Sequence, residues 1–141
     1  MSNQPLGVAI AGTGFGKKVH IPVFQIHEDT KPVAVYNRSL DKARAIAQEN
    51  EILHATSEFD SLLSLPDVDA VSISTPPFLH YDMAKAAIDA GKHLLLEKPL
   101  NLNAAETREL YHLAKQKGVV AASDFEFRCV PEWQLLAEYT K

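Results

Sequence analysis

Cysteine is almost missing from this sequence: Cys129 is the only one in 141 residues. A single thiol forms no intramolecular disulfide and builds no Cys-based metal site, so a reduced, cytoplasmic setting is expected and no metal centre. Basic residues are outnumbered, with 14 Lys and Arg against 18 Asp and Glu. That balance argues against a nucleic-acid-binding face, which needs a cluster of positive charge. Long apolar runs are lacking too. The longest near the start, Leu6 to Ala11, is too short for a membrane span or a signal-peptide core, and Met1 to Pro5 carries no basic stretch, so neither membrane partner nor secretory leader is expected. There is no internal repeat, low-complexity tract or linker. Cys129 itself, in apolar surroundings, reads as structural.

What is present is an alternation of short apolar runs and helical patterns. Leu6 to Ala11 reads as a buried strand closed by Gly12. A helix from Gly16 to about Ile26 follows, then strands at Pro32–Tyr36, Ile52–His54, Val68–Ser74, Lys92–Leu96 and Val119–Ser123. Helices are predicted at Asp41–Asn50 behind the caps Ser39 or Asp41, at Phe59–Leu65, at Leu79–Ala90 before Gly91, and at Ala104–Lys117 between Asn103 and Gly118. A last amphipathic helix starts at Pro131 and carries Trp133, Leu135, Leu136 and Tyr139. Strand–helix alternation implies an α/β fold: a doubly wound, mostly parallel sheet of about six strands with helices on both faces. The final helix runs to Lys141 without a glycine or capping signal, which predicts that this chain is one part of a longer protein.

Gly12-Thr13-Gly14-Phe15-Gly16 lies where the first strand becomes the first helix. Glycine at 12 permits a tight turn, and glycine at 14 lets the backbone approach a pyrophosphate. The free amides at the start of the helix then face phosphate oxygens. The match to G-x-G-x-x-G is imperfect, since Lys17 holds the third position and the extra glycine is Gly16. After strand two, dinucleotide enzymes that use NAD place a carboxylate on the ribose diol. Here the residues are Asn37-Arg38-Ser39. No acid is there to repel a 2′-phosphate, and Arg38 can pair with one, so NADP is favoured over NAD.

Further stretches follow in order: His20-Ile21-Pro22, then Ser74-Thr75-Pro76-Pro77 with His80, then Ala90-Gly91-Lys92-His93 leading to Glu97-Lys98-Pro99-Leu100, then Phe127-Arg128 with Pro131. With the glycine loop they make the chain resemble the N-terminal Rossmann domain of the glucose–fructose oxidoreductase / inositol dehydrogenase / MocA family. The resemblance implies a cofactor site formed by Gly12, Thr13, Gly14, Phe15, Gly16, Asn37, Arg38, Ser39, Thr75, Pro76, Pro77, His80, Glu97, Lys98 and Arg128. It implies that Glu97 and Lys98 reach the nicotinamide ribose and that Lys98 is catalytic, set against the substrate hydroxyl. It also implies hydride transfer between NAD(P) and a sugar, polyol or related alcohol. The substrate would be held by a C-terminal domain absent from this chain, and the full-length protein would be a homo-oligomer. On that basis residues 1–128 form the dinucleotide-binding domain and residues 129–141 begin the helix leading to the missing domain. The family also includes a transcriptional repressor, so a non-catalytic dinucleotide sensor is the alternative. His20, one turn into the first helix, is expected to pack or cap.

Overall fold

The computed structural model describes residues 4–140. Met1 to Asn3, read as a start without a leader, and Lys141, read as an uncapped helix end, lie outside them. Six strands, β1 (Leu6–Ala11), β2 (Thr30–Tyr36), β3 (His54–Thr56), β4 (Ala70–Ile73), β5 (His93–Glu97) and β6 (Ala121–Asp124), form one sheet. Its order is β3-β2-β1-β4-β5-β6, with every pairing parallel. The chain moves outward from β1 through β2 to β3, then returns to place β4 on the other side of β1. The order of winding therefore reverses between β1 and β4, and such a reversal opens a crevice at the carboxyl ends of the strands.

Six α-helices connect or follow these strands: α1 (Ile21–Ile26), α2 (Leu40–Glu49), α3 (Phe59–Leu63), α4 (His80–Asp89), α5 (Ala104–Lys117) and α6 (Pro131–Tyr139). Alternate residues of the strands feed two separate cores. Val8, Ile10 and Val35 pack with Ile21 of α1 and with Ala43, Ile46 and Ala47 of α2. Ala9, Ala11, Val71, Ile73, Leu94 and Leu96 pack on the opposite face with residues of α3, α4 and α5. Both faces of a parallel sheet being covered explains why the strands are near-continuous apolar runs. The α/β reading of the sequence is thus what the chain adopts.

The local signals act as expected at several ends. Asn103 caps α5, its side chain accepting from Glu106 N at 3.0 Å, and Ser39, not Asp41, caps α2. The differences have physical causes. The first helix is not uniform: Gly16–His20 is a π-helical turn and the α-helix begins only at Ile21. Strand three begins at His54, not Ile52, because Ile52 is buried in a loop that bonds back to Ala47 of α2 and Leu53 points to solvent. The β4 ladder starts at Ala70 and α3 stops at Leu63; Val68 is buried without joining the ladder. A 3₁₀ turn over Pro77–Leu79 precedes α4. β6 runs one residue further than expected and so includes Asp124. Amphipathic α6 buries none of its residues, and Cys129, read as structural, is exposed on the turn Glu126–Cys129 before it. Among the described residues no helix is long and apolar enough to cross a membrane.

Candidate dinucleotide-binding site

The glycine loop sits at the reversal point of the sheet. Gly12 has φ +114°, and a β-carbon there would lie 2.5 Å from the Ser74 carbonyl oxygen. Only glycine fits this close approach of the β1 and β4 ends. A β-carbon at Gly16 would lie 2.7 Å from Ser74 Oγ and 3.0 Å from Ile10 Cγ2, so Gly16 is the residue that lets the helical run rest on the sheet. That is the packing role assigned to the third fingerprint glycine. Lys17, which occupies the fingerprint position, points away and pairs with Glu49 of α2 at 2.7 Å. Gly14 is exposed: apart from its neighbours Thr13 and Phe15, no atom of the described residues comes within 4 Å of a β-carbon built there. The loop is packed at Gly12 and Gly16 and exposed at Gly14.

The loop after β2 is tied to the glycine loop. Asn37 Nδ2 donates to Thr13 Oγ1 at 2.6 Å, and its Oδ1 accepts from Ser39 N at 2.8 Å. Asn37 and Ser39 are therefore engaged in shaping the turn, the latter as the α2 cap. Arg38 between them is exposed and makes no ion pair among the described residues.

His80 joins the loops after β4 and β5. It is 1% exposed; Nε2 faces the Thr75 carbonyl at 2.7 Å, and Nδ1 faces those of Pro99 and Leu100 at 3.0 and 3.2 Å. It is not a surface residue of the helix start. The ring is packed between the Thr75 carbonyl and those of Pro99 and Leu100, and a neutral imidazole donates to one of these two sides.

Glu97 ends β5 and is buried, while Lys98 beside it is half exposed. Glu97 Oε2 accepts from the Lys98 backbone N at 2.8 Å. Its other oxygen, Oε1, is buried and has no hydrogen-bond partner. Lys98 Nζ lies 3.6 Å from Glu126 Oε1 in a solvent-exposed pair, which holds the amine only loosely. Arg128, on the turn before α6, is exposed and its side chain makes no polar contact among the described residues.

His20 packs, as expected, and it meets Asp124 and Ser72, which the sequence did not single out. His20 is 4% exposed; its Nδ1 is 2.7 Å from Ser72 Oγ and its Nε2 3.1 Å from Asp124 Oδ2. Ligand atoms of His20, Glu97 and Asp124 all lie within 4.8 Å of one another. One imidazole and two carboxylates could hold a divalent cation. A neutral imidazole already satisfies both of its nitrogens on Ser72 and Asp124, so the cluster requires no ion. The signal available in the sequence was polar residues in or at the ends of short strands: Ser72 within apolar β4, Glu97 ending β5 and Asp124 ending β6.

A parallel sheet whose order reverses beside a glycine loop is the architecture of a dinucleotide-binding domain. Residues 6–125 match the family model described as the oxidoreductase family with an NAD-binding Rossmann fold, and the chain belongs to that family. It is 53% identical over 139 residues to an uncharacterized oxidoreductase of Synechocystis, covering 98% of this chain and 38% of that protein. It is 44% identical to the dTDP-3,4-didehydro-2,6-dideoxy-alpha-D-glucose 3-reductase of Streptomyces violaceoruber, over 88% of this chain and 36% of that protein. A crystal structure of a 3-ketoreductase from Actinomadura kijaniata in complex with TDP-benzene and NADP superposes with a TM-score of 0.91 at 26% identity, covering 96% of this chain and 43% of that one. The chain thus spans less than half the length of these relatives.

Proposed function

We propose that this chain is the cofactor-binding portion of an NADP-preferring oxidoreductase acting on a sugar, polyol or related alcohol. The packing of Gly12 and Gly16 against Ser74 and Ile10, which leaves Gly14 exposed between them where the strand order reverses, is the observation that carries the reading. The residues fit the cofactor at both ends. The glycine loop with Thr13 and Phe15 takes the pyrophosphate, and the unpaired Arg38 takes the 2′-phosphate. Thr75, Pro76 and Pro77, braced by His80, line the crevice, and the orphaned Glu97 oxygen offers an acceptor to the nicotinamide ribose. Arg128, exposed on the turn before α6, is assigned to the same end of the cofactor.

When bound, the nicotinamide accepts or supplies hydride at C4. Lys98 is the catalytic residue: its loosely paired amine turns to the substrate hydroxyl and stabilises the developing alkoxide. The sugar reductase and 3-ketoreductase among the similar proteins support the substrate class. In the whole protein, residues 1–128 form the cofactor domain and residues 129–141 lead into a second domain that orients the substrate. The apolar side chains of α6, none of them buried, are suited to such a junction. The protein is cytoplasmic and homo-oligomeric and has no nucleic-acid partner. A non-catalytic sensor would have no use for an amine free to reach a hydroxyl.

The test is a titration with NADPH and NADH, for the chain as it stands and for Arg38→Ala. NADPH is expected to bind at least about tenfold tighter than NADH, and the substitution to remove most of that difference (~1.4 kcal/mol). Equal affinity for both cofactors, or a ratio that Arg38→Ala leaves untouched, overturns the NADP assignment. Absence of binding by either overturns the whole reading.

A further inference from the structure

We propose that Ser72, His20 and Asp124 form a positioning relay that fixes the Glu97 carboxylate so that its unpaired oxygen meets a hydroxyl of the nicotinamide ribose. The proposal rests on the cofactor reading above and adds three residues to it.

A carboxylate only accepts hydrogen bonds, so the contact of 3.1 Å between His20 Nε2 and Asp124 Oδ2 places the hydrogen on Nε2. Nδ1 then presents a lone pair, and the Ser72 hydroxyl donates to it at 2.7 Å. Ser72 is fully buried in β4 and has no freedom to turn away. The same burial removes it as a nucleophile, so the Ser–His–Asp line serves orientation only. Two aromatic rings flank the imidazole: Phe15 edge-on at 5.2 Å and Phe24 at 6.3 Å between centroids. The ring is thereby held in one orientation by three elements, the π-helical turn, β4 and β6.

Glu97 and Asp124 are register partners across β5 and β6. A buried carboxylate and a partly buried one side by side repel unless something polarised stands between them. The His20 Nε2–H edge is that element, 3.1 Å from one carboxylate and 3.7 Å from the other. At 3.7 Å it attracts Glu97 Oε1 without hydrogen-bonding it. Glu97 Oε2 is held separately by the Lys98 backbone N. The carboxylate is therefore fixed at one oxygen, guided at the other, and still lacks a donor for Oε1. A buried charged oxygen without a donor is costly, and a ligand hydroxyl arriving in the crevice removes the cost. Because Glu97 Oε2 also accepts from the Lys98 backbone, displacing Glu97 displaces the start of the Lys98 loop.

The experiment compares two ligands by calorimetry on the protein and on His20→Ala, Asp124→Ala and Asp124→Asn. NADPH spans the whole crevice. 2′-Phosphoadenosine 5′-diphosphate reaches the glycine loop and Arg38 but has no nicotinamide ribose. His20→Ala and Asp124→Ala are expected to raise the Kd for NADPH about tenfold while changing that of the adenine fragment less than about twofold. Asp124→Asn keeps an acceptor for Nε2–H and is expected to recover most of the NADPH affinity. Asp124 is partly exposed, so its variants carry the test even where His20→Ala does not fold, and thermal melts of each variant show which do. Equal weakening of both ligands, or unchanged NADPH binding in Asp124→Ala, overturns the relay. Failure of the unaltered protein to bind either ligand overturns the cofactor reading on which it stands.

Discussion

A β-carbon at residue 12 would lie 2.5 Å from the Ser74 carbonyl oxygen, whereas one at residue 14 would meet no described atom within 4 Å beyond its own chain neighbours. Gly12→Ala should therefore lower the unfolding free energy by about 2 kcal/mol, from a strained φ and a backbone collision together. Gly14→Ala should leave stability within ~0.5 kcal/mol of the original. Its cost should fall on the ligand: a methyl group would stand where the pyrophosphate approaches, raising the NADPH Kd by about tenfold or more. Thermal melts and calorimetry on the two variants separate these effects. A Gly14→Ala protein that binds NADPH normally would place the phosphates elsewhere. Both glycines were legible in the sequence as members of one motif. Which of them serves the fold and which serves the ligand depends on Ser74, 62 positions from Gly12 along the chain but in contact with it.

Helix ends were legible where a side chain bonds within its own turn. Asn103 and Glu106 are three residues apart, so the cap of α5 is a local event. Asn103→Ala should cost about 1 kcal/mol of stability, measurable by denaturant unfolding, with cofactor affinity unchanged. Ser39, whose cap bond on α2 is 3.4 Å long, should cost less when replaced by alanine. Strand limits were less legible, because a ladder is set by its neighbour. Ile52 has the composition of a strand, but β3 pairs with β2 from His54 opposite Ala34, and Ile52 serves instead as a plug against α2. The π-helical turn at Gly16–His20 had no sequence signature at all. It directs Lys17 outward to Glu49 and His20 inward to Ser72, a division that α-helical spacing from Gly16 did not predict.

At the scale of the molecule, ligand binding should be visible as stability. NADPH at about a hundred times its Kd should add ~2.7 kcal/mol to the folded state and raise the melting temperature by several degrees. Sugars or polyols added to the chain with NADP should give no turnover at enzyme-like rates, if the second reactant is oriented by the further domain proposed above. Rapid turnover would show that the substrate site lies within these residues. The order of elements followed from the sequence itself: apolar runs too short to be helices, helical patterns between them, and glycine or proline at the joints, all of them local properties. The family resemblance followed from the same local motifs. Only the tertiary structure decided that the strands lie in the order β3-β2-β1-β4-β5-β6 and that His20, Ser72, Glu97 and Asp124 meet at one end of the crevice. Alternation along a strand tells which face a residue takes, but not which strand lies beside it. That second fact is settled by long-range packing, which gathers residues far apart in the chain.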